Sequence, residues 1–453
     1  MSKQGLWTLG KTLWAKVIGQ KFVRDVGVLT IANLLGAPLS FLQGILVARW
    51  LGPELYGIAA LVMSYPALVY TFFDARSAEA SVKYLSEFHA AGDRESALAM
   101  CQLGYIIDLA IATLAFLLVL VTASWAAQAV AHQPESAGLI VVYAAAFIPQ
   151  ALVGTSQAVI TTLGKFPLRA GIDSLIKILR VLLVLGLVLA NWQVAGVIWG
   201  SAIATGVTGL LYGIMGWRLI YHHWGAFPLQ GKWQNLKGRR REIFHFLFYN
   251  ELNALLGMIP KQLDVLLLGY FRNPTEVGYY KLAKSLSSLV NYLVKPLQSV
   301  TYPELARLWS LGDRQALIQR VQRLALRVGI PLAVIVIAST CLIPLVLPSI
   351  LGAAYLPAVS ATQLFFIGSA IWLAFFWLRP LFLAMGKMRF WVSNSAVVVT
   401  LTVLGFAVAI PTWGYIGLAW VWLIVGGLGG HLLATAYFLH TWKMTNRYSE
   451  EPK

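Results

Sequence analysis

The stretch that decides the fold is LGPELYG, residues 51–57, because it returns in altered form as RNPTEVGYY at residues 272–280. The matched positions are Pro53 with Pro274, Glu54 with Glu276, and Gly57 with Gly278. Further matches at a similar offset of about 221 residues are Gly92, Asp93 and Arg94 with Gly312, Asp313 and Arg314, Gly164-Lys165 with Gly386-Lys387, Trp192 and Gly196 with Trp413 and Gly417, and Pro38 with Pro260. Matches in register over this distance indicate a duplicated unit.

The composition excludes an ordinary soluble protein. Of the 453 residues, 58% are hydrophobic and 12% are charged, and the mean hydropathy is +0.71. A soluble domain carries about 25% charged residues, and a disordered chain would be far less apolar. The composition therefore predicts an integral membrane protein. Both cysteines lie in apolar stretches, so we expect neither a disulfide framework nor a metal site.

A helix needs about 20 mainly apolar residues to cross a bilayer. Twelve stretches meet this requirement: 26–49, 55–77, 100–124, 138–162, 170–190, 194–216, 243–270, 276–299, 325–347, 357–382, 390–410 and 414–440. We therefore predict an all-α membrane protein of about 12 transmembrane helices, with six in each repeat. Because six is even, the repeats form two parallel six-helix bundles related by a pseudo-two-fold axis along the membrane normal.

Two parallel six-helix halves are typical of alternating-access transporters, whose substrate path runs between the halves. A duplicated channel or receptor would give the same pattern, and so would two bundles that merely pack together. Transport is the interpretation that the pattern favours.

The net charge of +17 follows mostly from topology. Lys and Arg concentrate in the loops on one side of the predicted spans, and the positive-inside rule then places both termini in the cytoplasm. Nucleic acid is therefore not an expected partner. The predicted organisation is an amphipathic N-terminal segment (1–22), a first bundle (23–217), a basic cytoplasmic connector (218–241), a second bundle (242–441) and a cytoplasmic tail (442–453).

Four charged residues form a predicted layer inside the second bundle. Lys261 and Asp264 lie in the seventh span, and Lys281 and Lys284 lie in the eighth. At 1.5 Å per residue, Asp264 and Lys281 lie about 9 Å below the outer boundary, and Lys261 and Lys284 about 14 Å below it. Asp264 can neutralise one lysine, and each remaining charge costs at least ~2.5 kcal/mol in the membrane. The layer therefore predicts an anion site, with phosphate as the obvious ligand.

Two alternatives apply to this layer. Asp264 and one lysine could form a structural pair while the other lysines extend to the interface. Arg49, at the outer end of the first span, could extend the positive layer or lie on the surface.

The other charged residues within the spans are less informative. Asp74, Asp108 and Glu251 are candidates for a coupling-ion site, although pairing with a nearby basic group is the more frequent role of such residues. We expect Asp173, Lys177 and Arg180 to reach the inner interface from the start of the fifth span.

Two prolines occupy matched positions, Pro38 in the first span and Pro260 in the seventh. Each removes a hydrogen bond within its helix and favours a kink. The pair is therefore predicted to act as hinges of the two bundles.

Catalytic motifs are absent from the sequence. It contains no G-x-x-x-x-G-K-[ST] phosphate loop, no H-E-x-x-H and no C-x-x-C, which disfavours ATP hydrolysis and metal catalysis. The predicted outer loops are short and nearly uncharged, which disfavours a membrane glycosyltransferase or polymerase. We expect a transporter rather than an enzyme, with no cofactor apart from H⁺ or Na⁺ coupling.

The stretch from Asp25 through Ala99 combines ILVARWLGPELYGIAAL with YLSEFHAAGDRESA, and the second half carries QLDVLLLGYFRNPTEVGYYKLA and LARLWSLGDRQAL. In these features the chain resembles the polysaccharide-transporter, Wzx-like branch of the multidrug/oligosaccharidyl-lipid/polysaccharide exporter superfamily. The resemblance covers essentially the whole chain, but its motifs do not specify a substrate.

The resemblance implies a flippase for an undecaprenyl-diphosphate-linked oligosaccharide, a polyprenyl-diphosphate lipid. Such a protein moves its cargo from the inner to the outer leaflet of the bacterial plasma (inner) membrane through a central cavity that is often cationic. The implied pathway is surface polysaccharide biosynthesis, including O-antigen and lipopolysaccharide. The implied partners are the lipid bilayer and a polysaccharide polymerase or glycosyltransferases. A monomer suffices, because the path lies between two halves of one chain.

The alternative function is a cation-coupled multidrug or small-molecule antiporter of the same superfamily. That function would require an acidic residue deep in the first bundle and a neutral or negative cavity. The first span contains no acid beyond Asp25 at its edge, and the excess charge of the second bundle is positive. The sequence therefore favours an anionic cargo.

Overall fold

The structure is a computed structural model that describes the backbone of residues 3–73 and 77–447. Side chains are described at residue 36 and over 38–73, 78–249, 262–290 and 292–440. Asp74 therefore lies outside the described residues. Glu251, Pro260 and Lys261 lie within a helix, but their side chains are outside the described set.

Helices make up nearly all of the described chain, and no strand occurs in that part. The first group comprises α1 (Lys3–Phe73), α2 (Ser77–Ala90), α3 (Arg94–Ala129), α4 (Ala137–Ala145), α5 (Phe147–Gln150), α6 (Leu152–Thr162), α7 (Phe166–Leu187) and α8 (Gln193–Trp224). The second comprises α9 (Arg240–Phe271), α10 (Pro274–Ser310), α11 (Arg314–Leu324), α12 (Ile330–Ser339), α13 (Ile343–Leu351), α14 (Ala358–Ala374), α15 (Leu378–Ala384), α16 (Met388–Val421) and α17 (Gly430–Arg447).

Six described segments are long and apolar enough to cross a membrane: Pro38–Phe73, Arg94–Ala129, Pro134–Thr162, Arg314–Ser339, Ala358–Ala384 and Met388–His440. The earlier part of α1 and the helices α7–α10 cover the other predicted spans. Helices therefore make up most of each of the twelve stretches; residues 74–76 are not described, and turns interrupt the helices at 146, 151, 340–342, 357 and 375–377. The predicted all-α, multi-span membrane fold is confirmed.

The Gly-Asp-Arg motif forms the same turn in both repeats. Gly92 and Gly312 each have a left-handed φ of 71°, which glycine adopts at no steric cost. Asp93 and Asp313 then cap the next helix by accepting hydrogen bonds from the backbone N–H three residues further on, at 3.0 and 2.9 Å. Hydrogen bonds from Ser96 also lower the pKa of Asp93. The motif is thus a helix–turn–helix connector.

The turns at the matched tryptophans also share one backbone conformation. Gln193 has φ 45° and ψ −125°, and Gly414 in the second repeat has φ 57° and ψ −139°. This region is strained for a residue with a side chain, and only the second repeat relieves the strain with glycine. The backbone therefore keeps the duplication even where the residue types differ.

The chain divides into two compact units. Unit 1 contains Met1–Val47, Tyr65–Ser124 and Ser136–Leu255, and unit 2 contains Ala48–Ser64, Trp125–Glu135 and Leu256–Lys453. In unit 1, Tyr84, Leu85 and Phe88 on one face of α2 are buried with Met100 of α3 and Val159 of α6. The amphipathic helix α2 is thus part of a hydrophobic core.

A row of glycines on α8 brings its neighbours close in unit 1. A Cβ at Gly200 would contact Val184 of α7, and one at Gly209 would overlap the carbonyl of Pro149. Small residues allow such close helix packing within membranes. The row holds the middle of α8 against α5 and α7.

Part of the predicted connector is held on α2 by ion pairs. Arg239 donates to both carboxylate oxygens of Glu87, at 2.6 and 3.1 Å, and to those of Glu242, at 3.0 and 3.2 Å. Lys83 of α2 also approaches Glu242, at 3.4 Å. The hydrogen bond from Arg239 is the main cause that lowers the pKa of Glu242. This part of the connector is therefore docked rather than free.

In unit 2, the two copies of the opening motif contact each other reciprocally. A Cβ at Gly57 would overlap the carbonyl of Pro274, and a Cβ at Gly278 would overlap the carbonyl of Pro53. Glycine is required at both positions because the backbones meet there. The matched prolines and glycines are thus a contact between the repeats as well as a sign of duplication.

Candidate functional site: charged side chains within the helices

Asp264 of α9 is completely buried in unit 2, and its carboxylate accepts three described hydrogen bonds. Its Oδ1 accepts from the backbone N–H of Val265, at 2.7 Å. Its Oδ2 accepts from the Tyr280 hydroxyl, at 2.5 Å, and from the Lys284 ammonium group. The carboxylate therefore accepts from three donors, one of which is a cation.

Lys284 is enclosed by the groups that surround this carboxylate. Its Nζ lies 5.6 Å from the ring centroids of both Tyr280 and Trp422, a distance suited to cation–π attraction. Trp422 donates to the Tyr280 hydroxyl at 2.9 Å, so that hydroxyl both accepts and donates. The structure therefore pairs Lys284 with Asp264 in a satisfied network.

Lys281, one helical turn from Lys284, has different surroundings. It is half-buried and lies within electrostatic range of both Lys284 and Asp264. Among the described side chains it has neither an ion pair nor a hydrogen bond. Lys284 is paired with Asp264. Among the described side chains of this layer, Lys281 is therefore a basic residue without an ion pair.

The structure brings only part of the predicted layer together. Asp264, Lys281 and Lys284 are neighbours, whereas Lys261 lies outside the described side chains. Arg49 is an exposed residue of α1. The predicted anion site, with Lys261, Lys281, Lys284 and Arg49, remains a prediction.

The predicted hinges are described unequally. Pro38 is exposed on α1, whose backbone stays helical through it. The non-helical residue of α1 is Gly52, with φ 73°. The side chain of Pro260 lies outside the described set.

Of the candidate coupling-ion residues, only Asp108 has a described side chain. Asp108 of α3 is buried in unit 1 and accepts a hydrogen bond from the Thr155 hydroxyl of α6 at 3.2 Å. A neighbouring pair, Tyr105 and Ser156, is hydrogen-bonded at 2.8 Å. Polar groups therefore cluster between α3 and α6. Asp74 and Glu251 lie outside the described side chains.

The helix α7 carries a second set of charges in unit 1. Near its start, Arg169 donates to Gln157 at 3.1 Å and to Thr161 at 3.4 Å. Asp173 accepts from the Tyr212 hydroxyl of α8 at 2.5 Å. These contacts satisfy both charged groups close to the predicted inner interface.

Arg180 lies further along α7, and the sequence predicts that it reaches the same inner interface. In the structure it is half-buried, and its Nη2 donates to the buried Thr205 hydroxyl of α8 at 3.0 Å. Its Nε is buried without a hydrogen-bond partner. The side chain therefore turns into the helix bundle. Its central place between residues 170 and 190 was the sequence signal that could have identified it.

Residues 22–309, more than half of the chain, match the family described as polysaccharide biosynthesis protein. The chain belongs to this family. The predicted resemblance to the polysaccharide-transporter branch of the exporter superfamily is thereby confirmed. No curated protein matches the chain by sequence.

Solved structures of transporters are similar to this family member in fold. The lipid II flippase MurJ, in an inward closed conformation, has a TM-score of 0.71 and 14% identity, covering 90% of this chain and 87% of MurJ. A MATE family multidrug resistance transporter of the MOP superfamily, in an inward-facing conformation, has a TM-score of 0.68 and 14% identity, covering 94% and 100%. A mutant of the Vibrio cholerae MATE transporter VcmN has a TM-score of 0.60 and 14% identity, covering 92% and 97%.

These likenesses show that the chain has the fold of those transporters. With the family match, they describe a multi-span member of the polysaccharide biosynthesis family with that fold.

Proposed function

We propose that the chain is a flippase that moves a polyprenyl-diphosphate-linked oligosaccharide from the inner to the outer leaflet of the bacterial plasma membrane by alternating access. The observation that carries this proposal is the polysaccharide biosynthesis family match over residues 22–309. The likeness in fold to MurJ, a lipid II flippase by its title, supports a lipid-linked cargo.

The charges within the helices support an anionic cargo. An oligosaccharide head with two phosphates cannot enter hydrocarbon unaided, since each unsatisfied polar group costs several kcal/mol. Lys281 is a half-buried cation with no described carboxylate bonded to it. Such a group lowers the barrier for phosphate while the lipid tail stays in the bilayer.

The proposal extends to the setting of the protein. Both termini lie in the cytoplasm, and H⁺ or Na⁺ moves in exchange for the cargo. Glycosyltransferases supply the lipid-linked oligosaccharide, and a polymerase consumes it on the outer side for surface polysaccharide such as O-antigen.

Reconstitution of the purified full-length chain tests this function. Liposomes carry a fluorescent polyprenyl-diphosphate oligosaccharide, and a membrane-impermeant quencher reports its arrival in the outer leaflet. We expect faster arrival than in protein-free liposomes, and slower arrival for the triple variant Lys261→Gln, Lys281→Gln, Lys284→Gln. A wild-type rate equal to that of protein-free liposomes would contradict the proposal. A labelled phospholipid that moves equally fast would indicate unspecific scrambling.

A second candidate function is cation-coupled multidrug antiport. The observation that favours it is the buried Asp108 of unit 1 and its Thr155 hydroxyl, because a buried carboxylate can carry a proton or Na⁺. Uptake of a cationic dye driven by a proton gradient measures this activity. Dye transport abolished by Asp108→Asn, with no lipid movement, would favour antiport over the flippase.

A further inference from the structure

The predicted spans place Arg180 near the middle of the membrane. It is midway along the predicted span 170–190, about 15 Å from either end at 1.5 Å per residue, and the hydrocarbon core is about 30 Å thick. Its partner Thr205 is midway along the predicted span 194–216 of the neighbouring helix. Two helices therefore place this contact at the same depth.

The charge of Arg180 is not neutralised by the described side chains around it. On its own helix the nearby charged groups are Asp173, which accepts from Tyr212, and Lys177, a second cation. From α8 it meets the neutral hydroxyl of Thr205, and from α4 it meets Tyr143, within electrostatic range. No described carboxylate is bonded to the guanidinium.

The surroundings of Arg180 strengthen any interaction with an anion. Tyr143 packs edge-to-face on Phe147 at 5.4 Å, and Phe147 stacks on Tyr70 at 4.8 Å. Of these rings, Tyr143 is within electrostatic range of the guanidinium. An apolar environment lowers the local dielectric constant and raises the energy of a charge without a counter-ion.

Arg180 uses only part of its hydrogen-bonding capacity among the described side chains. A guanidinium has five N–H donors in a planar fork. One described bond goes to Thr205, and the buried Nε has no partner. An unpaired charge at this depth costs at least ~2.5 kcal/mol, and a phosphate group would supply both the counter-charge and two acceptor oxygens.

We propose that Arg180 binds a phosphate group of the cargo, with Thr205 holding the guanidinium in place. The inference rests on the proposed flippase function for the identity of the cargo. The chemistry itself requires only a phosphate or diphosphate anion, because planar N–H pairs match two phosphate oxygens. Arg180 is thus a cargo-binding residue of unit 1, separate from the lysine layer of unit 2.

Binding of inorganic pyrophosphate to the purified full-length chain in nanodiscs tests the site directly. We expect Arg180→Gln to weaken binding by at least about tenfold, the equivalent of one charge-assisted hydrogen bond. Arg180→Lys, which keeps the charge but loses the fork, should weaken binding by about threefold. The matched control is Arg169→Gln, on the same helix, whose guanidinium already bonds Gln157 and Thr161.

The control should retain wild-type affinity within about twofold. Equal affinities of wild type and Arg180→Gln, or equal losses in Arg180→Gln and Arg169→Gln, would overturn the site. Thermal melting of each variant separates a binding loss from unfolding. If Arg180→Gln does not fold, Arg180→Lys preserves the charge and decides the question by its own loss of affinity.

The lipid-flipping assay in liposomes separates this inference from the proposed function. If the wild-type protein flips lipid but Arg180→Gln binds pyrophosphate as tightly as wild type, the Arg180 site is wrong and the flippase function stands. Pyrophosphate binding that depends on Arg180, without lipid flipping, would remove the flippase and identify a site for free phosphate anions. Loss of both pyrophosphate binding and flipping in Arg180→Gln, with the control intact, is the expected result.

Discussion

Each unit contains a charged site within its helices: the Asp264–Lys284 pair in unit 2 and Arg180 in unit 1. The two sites differ in the source of the counter-charge. Asp264 neutralises Lys284 and is itself saturated by Tyr280 and a backbone N–H. Arg180 has a hydroxyl for a partner and an unused donor. Charge that the protein neutralises itself stabilises the fold, whereas charge without an internal counter-ion is available to a ligand.

The largest expected effect comes from breaking the internal pair. Asp264→Leu leaves the Lys284 ammonium and the Tyr280 hydroxyl without their acceptor, at a cost of about 3–5 kcal/mol. The double variant Asp264→Leu, Lys284→Met removes both charges and should recover most of this loss, because apolar replacement of a buried pair is often close to neutral. Thermal unfolding in detergent measures both. A single variant as stable as wild type would show that the pair does not hold the fold.

A smaller effect is expected at Lys281, which shares a helix with Lys284 but not its partner. Lys281→Gln should reduce lipid flipping by about tenfold, the equivalent of about one charge-assisted hydrogen bond. Its melting temperature should stay at or above the wild-type value, since a lone charge at this depth costs free energy. The matched control is Lys295→Gln, an exposed lysine of the same helix. Equal flipping by Lys281→Gln and the control would place Lys281 outside the cargo path.

The smallest effect is expected where the charges meet water, on the docked connector. Glu242 faces Arg239, Lys83 and Tyr84, and the hydrogen bond from Arg239 is the main cause that lowers its pKa. A lowered carboxyl pKa adds stability that is present above the ordinary value and is lost as the pH falls through the lowered one. The contribution of the Glu242 ion pairs to connector docking should therefore be constant above about pH 5 and be lost below about pH 4.

Limited proteolysis between residues 225 and 242, followed across pH, measures this docking. Arg239→Gln should move the onset of cleavage to higher pH and leave the membrane spans intact. Cleavage that begins at the same pH in both proteins would show that the ion pairs do not hold the connector. High salt should also move the onset of cleavage to higher pH, because salt screens exposed ion pairs.

The sequence predicts the spans and the duplication well because both depend on local patterns. Apolar runs of sufficient length have to be helical in a bilayer, and Gly92 and Gly312 repeat a turn that needs left-handed φ. The sequence also predicts that Asp264 lies near Lys281 and Lys284, because a short loop joins their helices. It does not predict which lysine is paired, since Trp422, which completes the network, is distant in sequence.

The hydrogen-bond partner of Arg180 could not be predicted from α7 alone. A long side chain near a helix start can extend to the interface, and whether it does so depends on its neighbours. Here Thr205 of another helix holds the guanidinium at mid-depth. Similarly, proline is the residue that predicts a bend in α1, yet the non-helical backbone is at Gly52. Both cases depend on contacts between elements rather than on local preference.

The reciprocal contact of Gly57 and Gly278 has the symmetry of an interface between identical subunits. In a homodimer, one mutation would alter both of its contacts together. On a single fused chain each glycine mutates alone, so selection can adjust one contact while the other stays intact. The two copies of the motif have already diverged. Gly52, before the first copy, has a positive φ, whereas Asn273, before the second, is an ordinary helix N-cap. Duplication and fusion have therefore turned one symmetric contact into two that evolve separately.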